Sequence, residues 1–243
     1  MNFDQLAEKD RLIVALDYPN ADQALATADQ LSGIVSTLKV GKQLFTAEGP
    51  QLVRQLVARG FKVFLDLKFH DIPNTVSGAV RSAGELGVAM LTVHASGGSK
   101  MLTAAAEAAA NSPSKPLVLA VTVLTSLSNV ELEEIGVNAS ASEQVIRLAS
   151  IARKVGCGGI VASAREAADI RRTLGSGFPI VTPGVRPAGA DVGDQARVVT
   201  PAQAIAAGAT HIVVGRPITE APDPAAAAKS IVAEVGSALE HAQ

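Results

Sequence analysis

Eight short runs rich in β-branched residues and leucine alternate with longer, alanine-rich runs of helical period from one end of this chain to the other. The strand-like runs cover 12–16, 37–40, 62–67, 88–93, 117–123, 159–161, 180–182 and 211–214. Helical segments follow them, for example 21–31, 50–59, 75–86, 142–154 and 165–174. Two helix starts place proline at the first helical position after a capping residue, Thr200 with Pro201 and Asp223 with Pro224. A helix between strands supplies the crossover that parallel pairing needs, and eight such units with no low-complexity linker predict one closed parallel barrel. The expected fold is therefore α/β, a single (β/α)8 TIM barrel, with residues 1–243 forming one domain. An open doubly wound sheet is the second architecture, but no GxGxxG follows the first strand.

Composition narrows the class. Hydrophobic residues make up 48% of the chain and charged residues 18%, enough apolar surface for a large buried core. With a formal net charge of -2, no tryptophan and one tyrosine, the chain lacks a basic, aromatic surface for stacking bases, so no nucleic acid polymer is expected as a partner. The segment 1–11 mixes Asp, Glu and Lys without an apolar stretch, and the best apolar run, 116–124, is too short to span a bilayer. No membrane partner is expected, and the chain reads as cytoplasmic. Cys157 is the single cysteine and reads as a packed small residue. His70, His94, His211 and His241 show no metal-binding spacing, so no metal is expected.

In a barrel of this kind, functional groups lie at the C-terminal ends of the strands. Asp17 follows the first strand, Lys39 lies near the end of the second, and the third ends Asp66-Leu67-Lys68-Phe69-His70-Asp71. Strand side chains alternate, so Asp66 and Lys68 share a face with Phe64, while Val63, Leu65 and Leu67 share the apolar face that packs on helices. Asp66 and Lys68 are thus expected to point into the barrel mouth. Buried lysine and aspartate must compensate one another at a cost in desolvation, either as a structural ion-pair network or as a site for an anionic substrate.

At the other side of the mouth stand Thr182-Pro183-Gly184-Val185-Arg186-Pro187 after the seventh strand and Gly215-Arg216-Pro217 after the eighth. The loops after strands seven and eight are the recurrent phosphate site of this barrel. Gly215 permits close approach of backbone to a dianion and Arg216 supplies charge. The stretch 184–195 is long for a βα connection and reads as a lid.

The run Asp66-Leu67-Lys68-Phe69-His70-Asp71-Ile72-Pro73-Asn74-Thr75 closely resembles the signature of the orotidine 5'-phosphate decarboxylase family. So do Leu16-Asp17-Tyr18-Pro19-Asn20, Lys39-Val40-Gly41-Lys42, Leu124-Thr125-Ser126, the Thr182 to Pro187 run and Val214-Gly215-Arg216-Pro217, in the family's order. The resemblance implies a homodimer with shared active sites and orotidine 5'-phosphate as the small-molecule substrate. Lys39, Asp66 and Lys68, with Asp71 from the other subunit, would surround the substrate carboxylate and C6, and Lys68 would donate the proton. Asp17 and Lys39 would hold ribose hydroxyls, joined by Thr75 of the partner. Ser126 would contact the pyrimidine, and Gln195 would link lid, base and phosphate. Arg186, Gly215 and Arg216 would mark the phosphate end, and the implied binding set also takes in Thr125 and Pro183.

The implied chemistry needs no cofactor. Loss of CO2 leaves an electron pair on C6, which a fixed ammonium can stabilise and then protonate. Repulsion between Asp66 and the substrate carboxylate before CO2 departs is a second contribution. Two alternatives remain at this stage. A magnesium-dependent sugar-phosphate decarboxylase or aldolase shares Asp-x-Lys-x-x-Asp, but places a carboxylate where this chain has Lys39, a cation that repels the metal. A non-catalytic nucleotide-binding barrel would have no need of the Asp66, Lys68 and Asp71 array.

Overall fold

The computed structural model describes residue 3 and residues 6–188 and 199–240. All eight expected strands form: β1 (Leu12–Ala15), β2 (Thr37–Gly41), β3 (Lys62–Phe69), β4 (Met90–His94), β5 (Leu117–Val121), β6 (Gly159–Val161), β7 (Ile180–Thr182) and β8 (His211–Val214). Each pairs in parallel with the next, and β8 returns to β1 to close the barrel. The expected ends shift slightly. β4 starts at Met90 rather than residue 88, and β5 stops at Val121 rather than 123, where the Thr122 N–H and hydroxyl still reach the Val161 carbonyl before the chain turns.

The helices are α1 (Glu8–Arg11), α2 (Ala21–Leu31), α3 (Lys42–Ala58), α4 (Pro73–Glu85), α5 (Gly98–Ala110), α6 (Asn129–Glu134), α7 (Ala141–Lys154), α8 (Ala164–Leu174), α9 (Pro201–Ala206), α10 (Arg216–Thr219) and α11 (Pro224–Glu240). Side chains fix several starts: Ser128 with Glu131, Ser140 with Glu143 and Thr200 with Gln203 form capping boxes. Asp223 caps α11 by accepting from the Ala226 N–H at 2.9 Å. The expected 50–59 helix is the second half of α3. The first half was obscured because Gly49-Pro50 reads as a terminator, whereas Gly49 takes φ 64 and the helix resumes with Pro50 in its first turn. Likewise α4 begins at Pro73 rather than residue 75, since an extended Ile72 leads directly into a proline suited to the first helical turn.

Strand alternation divides the apolar residues between two cores. Ile13, Ala15, Phe64, Met90, Leu119, Val181 and Val213 fill the barrel interior. Leu12, Val14, Leu38, Val63, Leu65, Leu91 and Ile212 face outward beneath the helices. Cys157 belongs to that outer core, and burial pushes its thiol up to about 12. At the N-terminal end of the barrel, buried Arg11 donates to the carbonyls of Phe3, Leu6 and Thr210, and the Phe3 ring meets the His211 ring edge-on at 6.3 Å. Among the described residues, no helix is long and apolar enough to cross a membrane.

Candidate active site

The third strand departs from simple alternation where its charged residues begin. Leu65 pairs with Leu91 and Phe69 with Val93, so three residues of β3 face the single residue Thr92. The bulge puts Lys68 at φ 53, a left-handed conformation uncommon for a side-chain-bearing residue and typical of functional sites. Asp66 and Lys68 still converge in the mouth as expected, but by this bulge rather than by a two-residue period. Lys68 Nζ donates to both carboxylate oxygens of Asp66, at 2.8 and 2.9 Å. The Thr92 hydroxyl accepts from the Lys68 N–H at 2.8 Å and donates to Asp66 Oδ1 at 2.9 Å.

Lys39 extends the array. Its Nζ lies 3.1 Å from Asp17 Oδ1 and 3.9 Å from Asp66 Oδ2, with only 11% of the side chain exposed. At about 4 Å and an effective dielectric of about 20, such a pair attracts by roughly 4 kcal/mol, enough to matter without a hydrogen bond. Two anions and two cations therefore alternate across the mouth as Asp17, Lys39, Asp66 and Lys68, and their charges cancel. Gly41 makes room for the first pair, because a Cβ there would lie 3.2 Å from Lys39 Nζ and 3.4 Å from Asp17 Oδ1.

Two adjoining cavities share this array. The larger, about 460 Å³, runs from Asp17, Lys39 and Asp66 to Pro183, Arg186, Gly215 and Arg216. The smaller, about 170 Å³, lies over Lys39, Asp66 and Lys68 with mostly apolar walls that include Phe64, Val123 and Val181, and Thr125 at its rim. Charged groups thus sit where a polar chamber meets an apolar slot. A molecule with a flat ring at one end and an anion at the other matches that division.

The elements after β7 and β8 shape the polar end. Val185 and Val199 form a parallel bridge, and the Arg186 N–H donates to the Val199 carbonyl at 3.0 Å. Arg186 is buried, and Gly215 precedes the short α10, whose first residue is the exposed Arg216. A Cβ on Gly215 would come within 3.5 Å of the Ala15 Cβ and 3.6 Å of Asp17 Oδ2. Tyr18 ties this end to the β1 side: its hydroxyl lies 2.7 Å from Thr27 Oγ1 and donates to the Thr219 carbonyl at 3.0 Å. Gln195 and the centre of the expected lid lie outside the described residues.

Not every expected residue meets the cavities. Ser126 is exposed beside Thr125 and is absent from both linings. Asp71 and Thr75 are exposed and lie outside both, flanking Ile72, which is 66% exposed. Sequence reasoning missed Thr92, whose signal was a polar residue on the inward register of β4, between Met90 and His94. It also missed Glu220, which lines the polar cavity near Arg216. The His94 ring stands 5.3 Å from that of His70, and burial, then the charges of His70, Lys42 and Lys68, hold it below the usual histidine range. Near neutral pH it therefore adds no positive charge to the array.

Known proteins resemble this chain over nearly its whole length. Residues 10–231 match the model of the Orotidine 5'-phosphate decarboxylase / HUMPS family. An orotidine 5'-phosphate decarboxylase of Alkalilimnicola ehrlichii is 58% identical over 227 residues, 93% of this chain and 97% of the relative. One of Halorhodospira halophila is 59% identical over 94% of this chain and 97% of its own length. Among solved structures, orotidine 5'-phosphate decarboxylase from Lactobacillus acidophilus superposes with a TM-score of 0.84 at 40% identity, covering 93% of this chain and 99% of that one. With a matching barrel and a family model that extends from α1 into α11, the chain belongs to the orotidine 5'-phosphate decarboxylase / HUMPS family.

Proposed function

We propose that this chain is a carboxy-lyase that converts orotidine 5'-phosphate to uridine 5'-phosphate and CO2 in pyrimidine biosynthesis. The observation that carries the reading is the Asp17, Lys39, Asp66 and Lys68 array at the junction of the polar and apolar chambers. The pyrimidine enters the apolar slot, bordered by Thr125, with Ser126 at its edge. The phosphate takes the chamber of Pro183, Arg186, Gly215 and Arg216, and Gln195 joins it from the loop. Asp17 and Lys39 hold the ribose hydroxyls between the two.

In this pose the C6–carboxylate bond breaks, CO2 leaves, and the electron pair stays on C6. Lys68 stabilises that pair with its ammonium and transfers a proton from Nζ, forming the C6–H bond; solvent then restores the lysine. Asp66 holds Nζ in place and repels the substrate carboxylate until CO2 departs. The array supplies charge of both signs from the chain itself, so the reaction as proposed draws on no cofactor or metal. Lys39 stands where a divalent metal would need an acidic ligand, which disfavours the magnesium-dependent reading.

Asp71 and Thr75 act, in this reading, in a second copy's site: they lie past the end of β3 on an exposed stretch, outside their own chain's cavities. The working unit is a homodimer with shared active sites, its setting is the cytoplasm, and residues 1–243 form one catalytic domain. The direct test adds orotidine 5'-phosphate to the purified protein with a chelator present and follows the substrate's ultraviolet absorbance. Loss of absorbance with stoichiometric CO2 is expected. An unchanged spectrum, or activity that the chelator abolishes, overturns the proposal.

A further inference from the structure

We infer that Thr92 is a positioning residue for the reacting lysine, acting through one hydroxyl that fixes both the backbone of Lys68 and the carboxylate of Asp66. The inference rests on the decarboxylase reading above. Three residues of β3 oppose Thr92 alone, so the bulge takes Lys68 out of the regular ladder, and the Thr92 hydroxyl meets its N–H at 2.8 Å in place of a strand carbonyl. An amide N–H can only donate, so that bond uses an oxygen lone pair and leaves the single hydroxyl proton for Asp66 Oδ1, 2.9 Å away. The direction of both bonds is therefore set by chemistry alone.

The consequence concerns Lys68 Nζ. Asp66 holds that ammonium with both oxygens, so whatever fixes the carboxylate plane also fixes the ammonium. Thr92 grips the same lysine at the other end of its side chain, at a backbone held in the left-handed region. Thr92 is 1% exposed and is absent from both cavity linings, so it touches no substrate in the proposed pose. It sits beneath the array on the inward face of β4, between Met90 in the interior core and His94 at the mouth.

Thr92→Val keeps the shape and removes both hydrogen bonds, whereas Thr92→Ser keeps the hydroxyl. Sites competent to bind are counted by titration with uridine 5'-phosphate, so misfolded material does not enter the rate. Per competent site, Thr92→Val should lower kcat by about 10- to 100-fold, the scale of a small misplacement of a reacting group, with KM nearly unchanged. Thr92→Ser should recover most of kcat. Equal kcat in the valine variant and the wild type, or a loss shared equally by the serine variant, overturns the inference. So does a rise in KM that accounts for the whole effect. If the valine variant fails to fold, Thr92→Ala against Thr92→Ser decides by the same ratio. An inactive wild type would instead point to failure of the decarboxylase reading.

Discussion

Single side chains decide whether the mouth of this barrel holds together electrostatically. Gly41 is one such position, because a branched side chain there would occupy the space between Lys39 Nζ and Asp17 Oδ1. Gly41→Val should lower kcat/KM by about 10-fold or more, consistent with a displaced charge, while the fold survives; unchanged steady-state kinetics would show that the Asp17 and Lys39 pair is dispensable. Arg216 has a different task. It is exposed and lies at the far end of the larger cavity, so its contribution should reach the reaction through the phosphate. Arg216→Ala should lower kcat/KM by about 2 kcal/mol, the lower end for truncating one partner of a charge pair, or roughly 30-fold. A substrate without phosphate should lose far less, and equal losses would refute a dianion-specific role. Lys39, Asp66, Pro183 and Arg216 were legible in the sequence because they sit beside strand ends, where this fold concentrates function. Thr92 was not, because a threonine in a buried strand looks like ordinary β-branched packing until a bulge in the neighbouring strand gives its hydroxyl two partners.

Elements were legible wherever periodicity and capping agreed, as in α9 with Thr200 and Pro201, and less so where a local rule pointed the other way. Gly49-Pro50 inside α3 is such a case, and the bulge in β3 is another: a period of two predicts that Asp66 and Lys68 share a face, but gives no sign of two extra residues between the Leu65 and Phe69 pairings. The segment before β1 offers a test of how an element's end is held. His211 at the start of β8 is buried against Arg11, Lys62 and Asp10, with Nδ1 2.9 Å from the Thr210 hydroxyl. Burial, then the Arg11 and Lys62 charges, lowers it from 6.5 to about 4, with Asp10 opposing. Because the folded state favours the neutral ring, the penalty is absent above pH 6.5 and grows as pH falls toward about 4. Tm should therefore decline across that window more steeply in the wild type than in His211→Gln. Parallel curves for the two proteins would contradict the assignment.

At the scale of the whole molecule, closure of eight parallel strands brings residues distant in sequence to one rim, so Asp17, Lys68 and Arg216 can act on one small molecule. The chain leaves Asp71 and Thr75 outside that rim, and the proposed dimer would return them to a neighbour's site. Lys68→Ala and Asp71→Asn, each expected to be inactive alone, can be unfolded and refolded together in equal amounts. Random pairing makes about half the dimers mixed, each with one repaired site, so roughly a quarter of wild-type activity should return. Verified mixed dimers that stay inactive would refute the shared site without touching the chemistry. The central claim is that Lys68 delivers its proton to the carbon that CO2 vacates, and product formation from orotidine 5'-phosphate in heavy water tests it most directly. The wild type should release one CO2 per uridine 5'-phosphate carrying a single deuterium at C6, while folded Lys68→Ala forms no detectable product; deuterated product from Lys68→Ala at the wild-type rate would contradict the account.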